Sequence, residues 1–107
     1  MDENQKIVIF CTVPNRETAL KISQPIIEEK LAACINIVPS LISIYKWKGK
    51  IAQDSEELLI IKTTQKKFNV LETRIKQLHP YEVPEIIALP IVIGSDKYLN
   101  WVEECLK

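Results

Sequence analysis

The order of apolar segments predicts a ferredoxin-like α+β fold, βαββαβ followed by one further helix, in a single domain of residues 1–107. Four segments are rich in Ile, Val and Leu, which is typical of strands. Three others carry apolar residues at spacings of three and four, which is typical of helices. Because the connections are short and crossovers are right-handed, we expect both main helices on one face of an antiparallel sheet.

The first strand and the first helix are predicted from a continuous apolar run and a cap. The strand covers Lys6–Val13, where four consecutive residues from Ile7 are apolar. Asn15 is expected to cap a helix that continues to about Leu31. Pro25 lies inside this helix and predicts a kink, because proline has no N–H to donate. The apolar stripe of the helix consists of Ala19, Ile22, Ile26, Ile27 and Leu31.

A long hairpin is predicted next. Ala33–Trp47 forms its first strand, interrupted near Pro39-Ser40, and Lys48-Gly49 supplies the turn. Lys50–Thr63 returns as the second strand. A strand of about 15 residues spans ~50 Å, whereas the first helix, at about 17 residues, covers only ~25 Å. The tip of the hairpin, Leu41–Ile51, is therefore expected to overhang the helices.

The overhanging tip predicts self-association. It is rich in large apolar side chains, which monomeric proteins seldom expose together. Pairing with further copies of the chain would cover both these side chains and the open strand edges, so we expect a homo-oligomer. The expected interface residues are Leu41, Ile44, Tyr45 and Trp47. The lysines of the tip, Lys46, Lys48 and Lys50, are expected to be solvated.

The second half of the chain predicts a helix, a strand and a last helix. Thr64 is expected to cap the second helix, whose apolar face consists of Phe68, Leu71, Ile75 and Leu78. A loop with two prolines follows, and the fourth strand covers Ile86–Ile93, where Pro90 indicates a sheet edge or a bulge. The last helix begins near Ser95 and presents Tyr98, Trp101, Val102 and Cys105.

Composition and charge exclude several classes of function. Fourteen basic residues balance fourteen acidic ones, which argues against a nucleic-acid binder. No apolar run approaches the ~20 residues that span a bilayer, so we expect no membrane association. Residues 1–6 have no apolar signal core, and the three cysteines form no C-x-x-C pair. Reduced thiols in the cytoplasm fit this pattern best.

The ferredoxin-like fold serves several functions, and three of them lack their signatures here. RNA recognition needs exposed aromatic residues on the central strands, but the first strand offers only Phe10. A copper chaperone needs two cysteines in its first loop, and only Cys11 is present. An acylphosphatase-like enzyme needs a glycine-rich anion cradle, whereas Asn15 and Arg16 stand there without glycines. Asn15 and Arg16 keep an acylphosphatase-like activity as the weakest of the alternatives, and we expect no enzymatic activity.

Four sequence blocks resemble the CutA family of divalent-cation tolerance proteins. They are Cys11–Asn15 (CTVPN), Glu29–Cys34 (EKLAAC), Trp47–Lys50 (WKGK) and His79–Glu85 (HPYEVPE). The similarity extends from Ile7 to Trp101. It implies a ferredoxin-like fold, a homotrimer similar to that of PII signalling proteins, and binding of divalent metal ions, copper above all. It implies no catalytic reaction.

The predicted topology brings three candidate metal ligands to one end of the domain. Antiparallel pairing of the first and fourth strands places Cys11 near Glu85, and the second helix delivers His79 to the same end. Thiolate, imidazole and carboxylate ligands favour copper, with zinc as an alternative. The resemblance likewise implies Cys11 and His79 as copper ligands. Leu78 stands where some relatives have a second histidine, so we expect low affinity.

Other interpretations of these residues remain open. Cys11 is equally well explained as a small core residue, His79 as a cation at a helix C-terminus, and Glu85 as an ion-pair partner of another subunit. A second functional class is a PII-like trimer that binds a small molecule or a protein partner in its inter-subunit clefts. Metal affinity would then be incidental.

Overall fold

The computed structural model describes residues 2–107, which form four strands, three α-helices and one 3-10 turn. In chain order these are β1 (Lys6–Val13), α1 (Arg16–Glu28), β2 (Cys34–Trp47), β3 (Lys50–Thr64), the 3-10 turn (Gln65–Lys67), α2 (Phe68–Leu78), β4 (Ile87–Pro90) and α3 (Asp96–Cys105). The strands form one antiparallel sheet in the order β2-β3-β1-β4. This order is that of the predicted ferredoxin-like fold.

Helices α1 and α2 cover one face of the sheet, as predicted. The register pairs Ile9 of β1 with Ile61 of β3, and both side chains point to that face. Both are fully buried, together with Ile22 of α1 and Leu71 of α2. Burial of one such side chain stabilises the fold by about 1.5–3 kcal/mol. Cys11 belongs to the same core.

The first helix begins as predicted and ends three residues early. The Asn15 side chain accepts a hydrogen bond from the Thr18 amide at 2.8 Å, and α1 continues unbroken through Pro25. Lys30 takes a left-handed φ of 59°, and the Leu31 amide donates to the Ile26 carbonyl, which closes the helix in a Schellman motif. The prediction that Ile27 belongs to the buried stripe is wrong, since this side chain is 40% exposed.

The β2–β3 hairpin has the predicted interruption, turn and overhang. Its register shifts between Val38 and Leu41, and Ser40 has a φ of 61°. Lys48 and Gly49 both have positive φ, as a type I′ turn requires. Within residues 2–107, the core includes β2 side chains only as far as Ile37. Beyond the register shift, the exposed apolar side chains of the hairpin are Ile42, Ile44, Tyr45, Trp47 and Ile51.

The sheet face opposite α1 and α2 is also apolar. Its partly or fully exposed side chains, which we call the open sheet face, are Val8, Phe10, Leu58, Ile60, Ile87 and Leu89. Helix α3 lies over one end of this face, where Lys6 Nζ pairs with Glu103 Oε2 at 3.0 Å. The rest of the face is uncovered in the single chain, and Leu89 is 50% exposed.

Two predicted boundaries in the second half are corrected. The 3-10 turn separates Thr64 from α2, and the Thr64 side chain makes no capping bond. Strand β4 ends at Pro90, because beyond it the side chain of Gln5 satisfies the Ile91 carbonyl in place of a strand amide. Helix α3 begins after Ser95 as predicted; within it only Val102 is buried, while Tyr98 and Trp101 are exposed.

Candidate functional site

A cleft of about 830 Å³ lies between the hairpin and the loop after α2. Four carboxylates line it, Asp54, Glu56, Glu82 and Glu85, and we call it the acidic cleft. Three aromatic side chains, Tyr45, Trp47 and Tyr81, share its walls. Within residues 2–107, no lysine or arginine lines it. The acidic cleft therefore presents concentrated negative charge and suits a cation.

The hairpin and the loop are joined across the cleft by two phenol–carboxylate hydrogen bonds. Asp54 and Glu56 are two residues apart on β3 and so share a face of the strand. Tyr45 Oη donates to Asp54, and Tyr81 Oη donates to Glu56 Oε2 at 2.7 Å. Hydrogen bonding to Asp54 raises the pKa of Tyr45. Burial is the main cause that raises the pKa of Tyr81, and the hydrogen bond to Glu56 adds to it. Both phenols therefore stay protonated and act as donors at neutral pH.

We expect the Tyr81–Glu56 bond to contribute measurably to stability. Replacement of Tyr81 by Phe should lower the free energy of unfolding by about 1.5–3 kcal/mol, because it leaves the buried Glu56 carboxylate without its donor. Tyr45→Phe removes the analogous bond to the exposed Asp54 and should lower the free energy of unfolding by less than Tyr81→Phe does, because water replaces the lost donor. Urea unfolding of the two variants tests this difference. Equal losses would contradict the distinction between the two bonds.

Cys11 is a buried thiol of the core, next to Thr12, which lines the acidic cleft. Its side chain is fully buried in the core, with Sγ 3.8 Å from the Thr12 carbonyl oxygen. Burial raises the pKa of the thiol to about 12, and the charges of Glu85 and Glu56 add to the effect. The influence of Glu85 agrees with the predicted meeting of the end of β1 with the start of β4. At neutral pH Cys11 is protonated and is a weak ligand until it loses that proton.

His79 follows the last turn of α2 and is buried. Its Nε2 lies 2.8 Å from the Thr12 carbonyl oxygen, and its Nδ1 accepts a hydrogen bond from the Tyr81 amide at 3.1 Å. The tautomer that satisfies both contacts carries its proton on Nε2. Both ring nitrogens therefore already have partners, and the ring ties β1 to the loop that lines the acidic cleft.

The three predicted ligands come to one end of the domain without forming a ready coordination sphere. Cys11 and His79 both contact Thr12, and Glu85 is exposed in the acidic cleft. In the described part of the chain, no three His, Cys, Asp or Glu side chains are grouped closely enough to hold a metal ion. Leu78, the residue before His79, packs against the core.

Sequence reasoning missed the carboxylates Asp54 and Glu56 and the phenol of Tyr81. The available signal was the spacing of the two acids on a predicted strand, which places them on one face. Tyr45 and Trp47 were assigned to an oligomer interface, and in the single chain they also line the acidic cleft.

Comparison with known proteins agrees with the fold and the sequence blocks. The family model described as CutA1 divalent ion tolerance protein matches residues 7–105. The divalent-cation tolerance protein CutA of Thermus thermophilus is 53% identical over 97 residues, which are 91% of this chain and 94% of that protein. A solved structure of the divalent cation tolerance protein (Cut A1) from Thermus thermophilus superposes with a TM-score of 0.93 at 50% identity, covering 95% of this chain and 99% of that one.

A plant relative is longer. Protein CutA, chloroplastic, of Arabidopsis thaliana is 53% identical over 107 residues, 96% of this chain, but the match spans only 59% of the plant protein. These names denote a tolerance protein rather than an enzyme. Among residues 2–107, the helices lack the length and apolar character needed to cross a bilayer. On the extent of the family match and the identity to its members, the chain belongs to the CutA1 divalent ion tolerance protein family.

Proposed function

We propose that this chain binds copper, or another divalent metal ion, with Cys11, His79 and Glu85 as the ligands, and takes part in the response to metal ions. The observation that carries the proposal is the acidic cleft, whose four carboxylates have no cationic side chain among them in residues 2–107. Thr12 lines the cleft, and its carbonyl oxygen is contacted by the thiol of Cys11 and the imidazole of His79. Carboxylate, thiolate and imidazole donors together suit a soft or borderline ion. The names of the relatives refer to divalent cations.

The contacts of the proposed ligands explain why the affinity would be low. Glu85 is exposed and free to turn toward a metal ion. Cys11 has to lose a proton from a thiol whose pKa is about 12. The hydrogen bond from the Tyr81 amide to His79 Nδ1 has to break before this nitrogen can bind a metal ion. A metal ion therefore competes with a proton and a hydrogen bond before it gains either ligand.

The proposal includes a cytoplasmic homotrimer. Its support is the open sheet face together with the exposed hairpin residues Ile44, Tyr45 and Trp47, with Leu41 partly buried beside them. Such an apolar surface is typical of an interface between copies. Three free cysteines accord with a reducing compartment. The zero net charge favours neither a nucleic acid nor an anionic membrane as a partner.

A second candidate function is that of a PII-like trimer that binds a small molecule or a protein partner in its inter-subunit clefts. The observation in its favour is the aromatic wall of the acidic cleft, formed by Tyr45, Trp47 and Tyr81. A metal ion alone has no need of three aromatic side chains. Metal binding would be incidental to this function.

Native mass spectrometry of the purified chain, with and without added copper, tests the two candidates. Uptake of about one copper ion per chain, lost in Cys11→Ser and retained in Cys105→Ser, is expected for the metal-binding function. Cys105 is the matched control, because it is a free cysteine on α3 that packs against a separate cluster of Ala33, Val102 and Leu106. A trimer that stays metal-free would favour the second candidate. Unchanged uptake in Cys11→Ser would contradict the assignment of Cys11.

A further inference from the structure

Two of the three cysteines lie away from the proposed metal site, where α3 meets the sheet. Cys34 is the first residue of β2 and Cys105 is the last residue of α3, and both are free, partly buried thiols. We propose that Cys34 and Cys105 form a reversible disulfide bond on exposure to hydrogen peroxide, and that this bond fixes α3 to the start of β2. The proposal goes beyond metal binding and uses neither Cys11 nor the acidic cleft.

The strand register turns Cys34 toward α3. Cys34 pairs with Lys62 of β3, and the neighbouring pair, Ile35 with Ile61, packs into the core beneath α1 and α2. Since successive side chains of a strand point to opposite faces, Cys34 points to the other face of the sheet. It stands at the end of that face where α3 lies, because the preceding residue, Ala33, packs with α3. The thiol is therefore not one of the uncovered residues of the open sheet face.

Helix α3 brings Cys105 to the same place. Ala33, the residue before Cys34, is buried in one small cluster with Val102 of α3, and Cys105 packs against this cluster. Tyr98, Val102 and Cys105 are spaced by four and three residues, so they share one side of the helix. Partial burial raises the pKa of Tyr98, and the sulfurs of Cys34 and Cys105 add to the effect. Both thiols therefore lie around one phenol.

Disulfide formation is a two-electron oxidation that a pair of thiols and one peroxide complete. The thiolate of one cysteine attacks a peroxide oxygen, the O–O bond breaks, and a sulfenic acid and one water result. The sulfur of the other cysteine then attacks the sulfenic sulfur, the S–O bond breaks, and a second water leaves. Two thiols are thus oxidised, and hydrogen peroxide takes up their two protons and two electrons. In reducing compartments such bonds are typically transient and redox-sensing.

Helix α3 is weakly anchored to the sheet without this bond. Within the helix only Val102 is buried, and an ion pair between Lys6 and Glu103 joins it to β1. An element with few buried side chains opens locally at a low cost in free energy. A covalent bond to β2 would suppress this opening. Oxidation should therefore slow amide hydrogen exchange in α3 and leave exchange in the buried strand β1 unchanged.

Peptide mapping of the oxidised full chain tests the pairing. The reduced protein is treated with hydrogen peroxide in the presence of EDTA, alkylated, digested and analysed by mass spectrometry. We expect a bond between Cys34 and Cys105 of one chain, loss of two of the three free thiols, and full reversal by dithiothreitol. Protein unfolded in urea is the matched comparison. There Cys11 and Cys34, which are closer in sequence, should pair preferentially because their loop is shorter.

Three serine variants provide the controls. Cys34→Ser and Cys105→Ser should each abolish the bond and its effect on exchange in α3. Cys11→Ser should retain both, so failure of the proposed metal site does not affect this result. The proposal is overturned if folded and unfolded protein give the same mixture of pairings, or if non-reducing electrophoresis shows that the bond joins two chains. Oxidation to sulfinic acid without a disulfide, or unchanged exchange in α3 after oxidation, would equally contradict it.

Discussion

The copper affinity of this protein is expected to rise about tenfold for each unit of pH between about pH 6 and 8. The reason is the Cys11 thiol, whose pKa is raised to about 12 by burial and by the charges of Glu85 and Glu56. Throughout this range the thiol is protonated, so each copper ion that binds to the sulfur has to release its proton. The fraction of thiolate, and with it the affinity, increases in proportion to the hydroxide concentration.

Competition with a chelator of known proton affinity measures this slope. Cys11→Ser should flatten it, since serine offers no thiolate, and should lower the affinity most at high pH. Cys105→Ser is the matched control and should keep the slope of the parent protein. If Cys11→Ser retained the full slope, the titrating ligand would be another group, and the assignment of Cys11 would be wrong.

A single carboxylate on the open sheet face is expected to dissociate the proposed trimer. Leu89 is half exposed in the single chain, so Leu89→Glu should leave the fold of each subunit intact. In an assembly that covers this face, each copy would bury an unpaired charge, at a cost of several kcal/mol. Ile44→Glu tests the hairpin in the same way, because Ile44 is also exposed in the single chain.

Light scattering after size-exclusion chromatography gives the mass of each variant. Val70→Glu is the matched control, because Val70 is an exposed apolar residue on α2, on the other side of the sheet. We expect the control to remain trimeric and Leu89→Glu to become monomeric. A trimer that survives both Leu89→Glu and Ile44→Glu would contradict an interface at either surface.

Much of the fold could be predicted because the sequence patterns that specify its strands, helix caps and turns each involve only a few neighbouring residues. The apolar run of β1, the cap at Asn15 and the Lys48-Gly49 turn each depend on a few neighbouring residues, and all three are confirmed. The end of β4 depends instead on Gln5, a residue distant in sequence whose side chain bonds to Ile91. Tertiary contacts of this kind leave no periodic pattern in the sequence.

The sequence could predict which chain segments come together at the site, but not how their side chains are bonded or buried. Strand pairing indicated that the ends carrying Cys11, His79 and Glu85 meet, and the influence of Glu85 on Cys11 agrees with this. The sequence could not indicate that both ring nitrogens of His79 would be occupied. Nor could it indicate Glu56 as a buried acid, because its burial depends on how the Tyr81 loop closes over the hairpin.

The position of β1 in the sheet determines when the sheet can be completed. This strand is central, yet it lies near the start of the chain, and its partners come much later. Val13 pairs with Glu57 and Ile7 with Pro90, so both pairings close long loops and give the fold a high contact order. The β2–β3 hairpin can form from neighbouring residues alone. During synthesis, by contrast, β1 has to wait without its full set of partners until β4 has left the ribosome.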